Sequence, residues 1–510
     1  MEQVYIFMLF VFLVLAVIDL VVGVSNDAAN FLNSAVGSKV ATIRTIMIVA
    51  SVGVAIGAVF SSGMMEIARK GIFNPQLFYF DEVMVIFMSV ILADILLFDL
   101  FNSIGLPTST TVSIVFELLG AAMCVATIKT FMSDESLFNA FNYINTSEAG
   151  KIITGIFTSV AIAFTVGTIV QYLARLVFSF KYQENVKYVG GVFGGLSLTG
   201  LSYFIIFKGL KDVAFIPKEA IAWIDTNIVP LLIGCFIFYS VLSQVLIRMK
   251  VNIFRVIILS GTFALAMAFA GNDLVNFIGV PVAAWDSFQL WEAAGTPEQS
   301  MTMGALRENV QTPQIFLIIA GALMILTLWF SKKTLNVMQT EMKLSQQGGG
   351  KERFEATGLS RGIVRFSVWV TSMMEALIPK RTLEYIESRF KKPEEKDINS
   401  PDKPAYDVVR AAINLVVSSS LIAVGTSLKL PLSTTYVTFM VAMGTSLADR
   451  AWGRESAVFR VAGVFNVIGG WFLTAGAAFV MGLITAVILF YGEIYGLISM
   501  IFLVGYLVVR

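Results

Sequence analysis

The chain has 510 residues, of which 57% are hydrophobic and 14% charged, with a mean hydropathy of +0.80, a formal net charge of +1 and no histidine. Soluble globular chains are nearer ~45–50% apolar and ~25% charged, so the apolar surplus has to face lipid and the chain reads as a polytopic membrane protein. The absent histidine excludes imidazole metal sites, Ser-His or Cys-His catalysis and His proton relays, and the balanced charge, with no basic stripe carrying interleaved aromatics, gives no case for nucleic acid as a partner.

Apolar runs bounded by charged or Gly/Pro-rich breaks predict membrane segments near 4–24, 40–62, 83–104, 106–127, 152–178, 188–210, 227–247, 254–288, 314–331, 406–428, 430–447, 457–490 and 493–509. Met1-Glu2-Gln3 lacks the basic leader of a cleaved signal peptide, so the first run reads as a retained span. Three segments do not look like simple spans. The first is interrupted near 23–38 by Gly, Ser and Asn, 254–288 by Gly271-Asn272-Asp273, and 106–127 begins at Pro107-Thr108-Ser109-Thr110-Thr111. Cys124 and Cys235 lie inside apolar runs and read as small core residues. The polar stretch 332–405 holds 14 Lys/Arg and 10 Asp/Glu, and Lys332 and Lys333 at its membrane end place it in the cytoplasm by the positive-inside rule. Within it, 361–378 fits either an amphipathic helix on the bilayer surface or a small helical hairpin.

An internal repeat is present. Asn26-Asp27-Ala28-Ala29-Asn30-Phe31 recurs as Asn272-Asp273-Leu274-Val275-Asn276-Phe277, and Pro107-Thr108-Ser109-Thr110-Thr111 recurs as Pro431-Leu432-Ser433-Thr434-Thr435, with Gly120 and Gly444 each 13 residues past the proline. The motifs come in the same order. Asp27 and Pro107 are 80 residues apart and Asp273 and Pro431 are 158 apart, an excess of 78 that is close to the length of the polar stretch. The second half is therefore the first with an insertion, as in transporters built from repeated halves. The expected organisation is a first repeat over 1–210, a linking helix and the start of the second repeat over 211–331, the cytoplasmic insertion 332–405, and the remainder of the second repeat over 406–510.

Asn26, Asn30 and Asn33 share one helical face with Asp27 at its edge. A carboxylate within lipid needs a cavity or a partner, and amide oxygens, a carboxylate and carbonyls freed by a helix break form a hard oxygen site for Na⁺ or for a proton. The alternative, an Asn-Asp helix cap, does not explain why the motif returns at Asn272, Asp273 and Asn276. A proline opening a helix leaves Ser109, Thr110 and Thr111 beside the unpaired amides of the first turn, which is an anion cradle, and Ser433, Thr434 and Thr435 supply a second. Local backbone satisfaction or helix packing is the other use of such hydroxyls. Two cradles beside Asp27 and Asp273 suit a tetrahedral oxyanion, and hydrogen phosphate, which can donate a proton to a carboxylate, fits better than sulfate, which only accepts. Asp19, Asp94, Asp99 and Glu117 are further acids inside apolar runs, without counterparts in the second half, and rank second as coupling or access residues.

Two copies of Asn-Asp-x-x-Asn, each followed by Pro-x-Ser-Thr-Thr, with a large polar loop in the second half, resemble the inorganic phosphate transporter (PiT) family of sodium- or proton-coupled phosphate symporters. The resemblance implies an all-α membrane protein of two inverted-topology repeats, about twelve membrane helices including broken helices and re-entrant helical hairpins, often a homodimer. It implies import of inorganic phosphate across the cell membrane with Na⁺ as coupling ion, H⁺ being possible, no other cofactor, and no enzymatic activity. On that pattern Asn26, Asp27, Asn30, Asn272, Asp273 and Asn276 belong to the cation centre, while Ser109 to Thr111, Ser433 to Thr435 and the two aspartates hold phosphate. The chain departs from the pattern at Val112 and Tyr436, where a histidine often stands, and at Val280, which separates Gly279 from Pro281. A sulfate or other oxyanion permease of the same fold is the alternative, and an intramembrane phospholipid enzyme a remote one.

Overall fold

A computed structural model describes residues 2–509 except 62–64, 66, 105–107, 204–216, 308–311, most of 332–378, 392–403, 406, 431 and 451–453. Pro107, Pro431 and nearly all of the 361–378 segment lie outside the described residues. The helices are α1 (Glu2–Asp27), α2 (Ala29–Gly37), α3 (Ile43–Val59), α4 (Phe80–Ile104), α5 (Thr110–Met132), α6 (Thr146–Phe178), α7 (Tyr182–Ser202), α8 (Lys218–Thr226), α9 (Ile228–Arg248), α10 (Ile253–Ala294), α11 (Gln314–Phe330), α12 (Lys380–Phe390), α13 (Val408–Ser427), α14 (Thr434–Ala448) and α15 (Arg454–Val509). Among the described residues extended pairing is limited to isolated bridges such as Phe73 with Ile144. Eight helical stretches are long and apolar enough to cross a bilayer, and α3 and α11 are shorter apolar helices.

Helix starts follow the local chemistry. Side chains of Thr42, Asn145, Asn252 and Asp407 accept from first-turn amides and cap α3, α6, α10 and α13. α15 turns at Glu493, whose φ of 46° breaks the helix between the two predicted segments 457–490 and 493–509. The first expected interruption is present as a one-residue break at Ala28 between α1 and α2. The second is not: α10 runs through Gly271-Asn272-Asp273 as one helix of 42 residues. Its polar side chains find partners on other helices, so the backbone need not open to accommodate them. No carbonyls are therefore freed at that copy.

The two halves are packed by exchange. α5 packs on α15 and α14 packs on α6, so each Ser/Thr helix lies against a helix from the opposite half. The glycines 13 residues past each proline explain the close approach: a Cβ on Gly120 would strike the Phe479 carbonyl of α15, and one on Gly444 would strike the Phe164 carbonyl of α6. The facing helices reciprocate, because a Cβ on Gly482 would lie 2.5 Å from the Glu117 carbonyl and one on Gly167 3.0 Å from that of Val441, the position 324 residues further on. Small residues are what allow membrane helices to touch backbone to backbone. Gly444→Val is accordingly expected to destabilise the purified protein by about 1–3 kcal/mol through overpacking, read as a lower thermal midpoint, whereas Gly234→Val, where nothing lies within 4 Å, leaves it unchanged.

Candidate functional site

Asp27 closes α1 and Asp273 sits in mid α10, and both carboxylates are fully buried. Facing them are the first turns of α5 and α14. Ser109 and Ser433 are the N-caps of these helices, accepting from the amides of Val112 at 3.3 Å and Tyr436 at 3.1 Å. A capping hydroxyl uses its oxygen as acceptor and keeps its proton to donate.

The threonines are shared between halves in a reciprocal pattern. Thr110 donates to Asp27 Oδ2 at 3.0 Å and Thr435 to Asp27 Oδ1 at 3.2 Å. Asp273 accepts in the same way from Thr434, through Oδ2, and from Thr111 at 3.3 Å. Each aspartate thus takes the first threonine of its own half and the second threonine of the other. The asparagines follow: Asn30 Nδ2 donates to Thr435 Oγ1 at 2.9 Å, and Asn276 Nδ2 to Thr111 Oγ1 at 3.0 Å. Asn276 also reaches Thr110 at 3.1 Å. Asn272 donates to Asp273 Oδ1 at 2.8 Å and to the Leu432 carbonyl at 2.7 Å, while Asn26 is buried beside Asp27 in the last turn of α1. All twelve of these motif side chains are at most 6% exposed, so the centre is closed to solvent on both sides in this conformation.

Carboxylate, hydroxyl and amide oxygens of this density, on two helix N-termini, can hold a hard monovalent cation and an oxyanion next to it. The Leu432 carbonyl is a participant that the motif pattern did not single out, and its signal is its place one residue before the capping Ser433. Asn33 lies further along α2, lining a small polar cavity with Asn30, Ser34, Asn414 and Thr438. Of the second-rank acids, Asp94 and Glu117 are buried together away from these contacts, whereas Asp99 is partly exposed near the end of α4.

The sequence profile of the phosphate transporter family matches residues 23–348, which takes in both Asn-Asp motifs and the first Ser/Thr motif. The chain belongs to the phosphate transporter family. Family relatives named as phosphate permeases include one from Helicobacter pylori strain J99, 26% identical over 314 residues (58% of this chain, 53% of that protein), and one from Thermococcus kodakarensis, 26% identical over 294 residues (55% and 68%). A protein of Plasmodium falciparum named as a sodium-dependent phosphate transporter is 31% identical over 145 residues, 28% of this chain and 21% of that protein. The chain spans about half to two thirds of the length of the first curated relatives it matches. A solved structure of a sodium-dependent phosphate transporter shares the fold, with a TM-score of 0.66 and 17% identity over 94% of this chain and 98% of that one.

Proposed function

We infer that the protein is a secondary active transporter that imports inorganic phosphate by symport with Na⁺, working by alternating access between two repeats of inverted topology. The observation that carries this is the reciprocal holding of Asp27 and Asp273 by threonines of both halves at a closed centre. A cation arriving first neutralises the carboxylates and takes hydroxyl oxygens as ligands, turning the Thr protons outward. Phosphate then docks on those protons and on the Ser109 and Ser433 hydroxyls at the helix N-termini. Rocking of one half against the other moves each aspartate away from one of its two threonines, which opens the centre to one side.

Membership of a family of transporters speaks against the phospholipid-enzyme reading. The placement of the insertion in the cytoplasm rests on Lys332 and Lys333, and assembly as a homodimer in the cell membrane rests on the PiT resemblance. Purified protein in liposomes is expected to concentrate labelled phosphate when Na⁺ is outside, to stop when K⁺ replaces Na⁺ at fixed pH, and to be undisturbed by excess sulfate. Uptake unchanged in K⁺ sinks the sodium assignment, uptake driven instead by an imposed pH gradient replaces it with proton symport, and competition by sulfate overturns phosphate specificity.

A further inference from the structure

Asp19 on α1, Asp94 on α4 and Glu117 on α5 meet inside the first half, none more than 1% exposed. The ionisable groups acting on each are the other members of the three, with Asp94 in the middle in contact with both. The surrounding elements bring no printed cation to them: α2 and α11 carry no ionisable side chain, Asp273 of α10 is held in the centre, Asp286 of α10 is paired with Arg69, and Lys129 at the far end of α5 is paired with Glu82.

Asp94 Oδ1 accepts a 2.5 Å hydrogen bond from Ser113. Written as three carboxylates, the group leaves Asp19 Oδ1, Asp94 Oδ2 and both Glu117 oxygens buried without a hydrogen-bond partner among the described residues. A carboxylate only accepts, so two in contact repel unless a proton makes one of them a donor. Two protons resolve the whole arrangement. Asp19 and Glu117, each as the acid, donate to a single anionic Asp94, which Ser113 also holds. No site for a metal ion built from three such side chains is present among the described residues, which leaves the proton as the fitting cation.

We propose that Asp19, Asp94 and Glu117 form a proton-binding site that carries two protons around one negative charge. The site belongs to one half only, because the positions related by the repeat offsets are Leu265, Ser418 and Val441. It is joined to the centre along two helices: Asp19 stands two turns before Asp27, about 12 Å along α1, and Ser113 sits one turn beyond Thr110 on α5. The inference holds whichever anion the centre carries, and its test uses neither phosphate nor Na⁺.

Infrared spectroscopy of the full-length protein in detergent at pH 7, in light and heavy water, reads the carboxylic-acid C=O stretch directly. The wild type is expected to show acid bands that persist in an Asp27→Asn, Asp273→Asn background. Each of Asp19→Asn and Glu117→Gln should remove about half of that intensity, since each deletes one of two proton-bearing acids, whereas Asp94→Asn should keep it and shift its frequency by replacing the anionic acceptor with a neutral one. Absence of acid bands from the wild type at pH 7 overturns the proposal without any variant, and so do bands unchanged in Asp19→Asn and Glu117→Gln. Loss of Na⁺-driven uptake in the Asp27→Asn protein, with its acid bands intact, separates failure of this site from failure of the transport reading.

Discussion

Asp273→Asn is expected to abolish Na⁺-driven phosphate uptake while leaving the protein folded. Asp273 gathers donors from Asn272, Thr111, Asn276 and Thr434 around one fully buried carboxylate. The amide is nearly isosteric, so the packing survives, but it removes the negative charge a cation pairs with and turns one oxygen acceptor into a donor facing hydroxyl donors. Removing one partner of a buried charge pair costs about 3–5 kcal/mol, equivalent to a loss of at least about a hundredfold in cation affinity. Thr434→Val removes one neutral donor and should weaken binding only about fivefold, the equivalent of about 1 kcal/mol. Labelled-phosphate uptake as a function of external Na⁺, with elution volume and thermal midpoint as controls, distinguishes the two. Wild-type uptake in Asp273→Asn removes the centre from consideration.

The largest expected effect on stability belongs to Arg175. Its side chain is fully buried near the end of α6 and grips Asp449 through Nε at 2.9 Å and Nη2 at 2.7 Å, with Asp407 2.8 Å away and the Ser179 carbonyl accepting at 3.1 Å. Gln171 adds a 2.7 Å bond to the same Asp449 oxygen. Asp407 caps α13 and Asp449 follows α14, so one guanidinium ties α6 to two helices of the other half. The insertion docks on the same corner, where Arg389 of α12 donates to the carbonyls of Leu176 and Val177, and Phe390 stacks on Tyr172. Arg175→Met leaves the Asp449 charge buried and uncompensated, an expected loss of about 3–5 kcal/mol. Asp449→Asn added to Arg175→Met should recover a substantial part of that loss, because it removes the stranded charge. A double-mutant cycle on thermal midpoints checks this. An Arg175→Met protein as stable as the wild type contradicts it.

Much of the centre was legible because its chemistry is written in short motifs whose repetition outweighs chance. The four blocks around Asp27, Thr110, Asp273 and Thr434 meet as the spacing implied. What the motifs did not carry was which partner each residue takes. Sharing of threonines between halves depends on how α5 and α14 approach, and that is set by glycine faces far from the motifs, at Gly167 and Gly482. The helix break failed at its second copy for a related reason: a polar residue in an apolar run signals a need for partners, and whether the backbone or a neighbouring helix meets it depends on tertiary packing. Asp19 looked like an isolated acid because its companions lie 75 and 98 residues away in the sequence. Arg175 and Asp449 gave no signal, since single charges near segment ends are commonly solvated.

The exchange of glycine-faced helices also dictates an order of assembly. α5 emerges from the ribosome early, yet its partner α15 is the last helix made, so the apolar face around Gly120 waits for almost the whole of translation. Severing the chain within the connection between halves would therefore release a fragment that inserts into the bilayer but has no surface of its own on which to finish folding, and only co-production of both pieces would restore the native bundle.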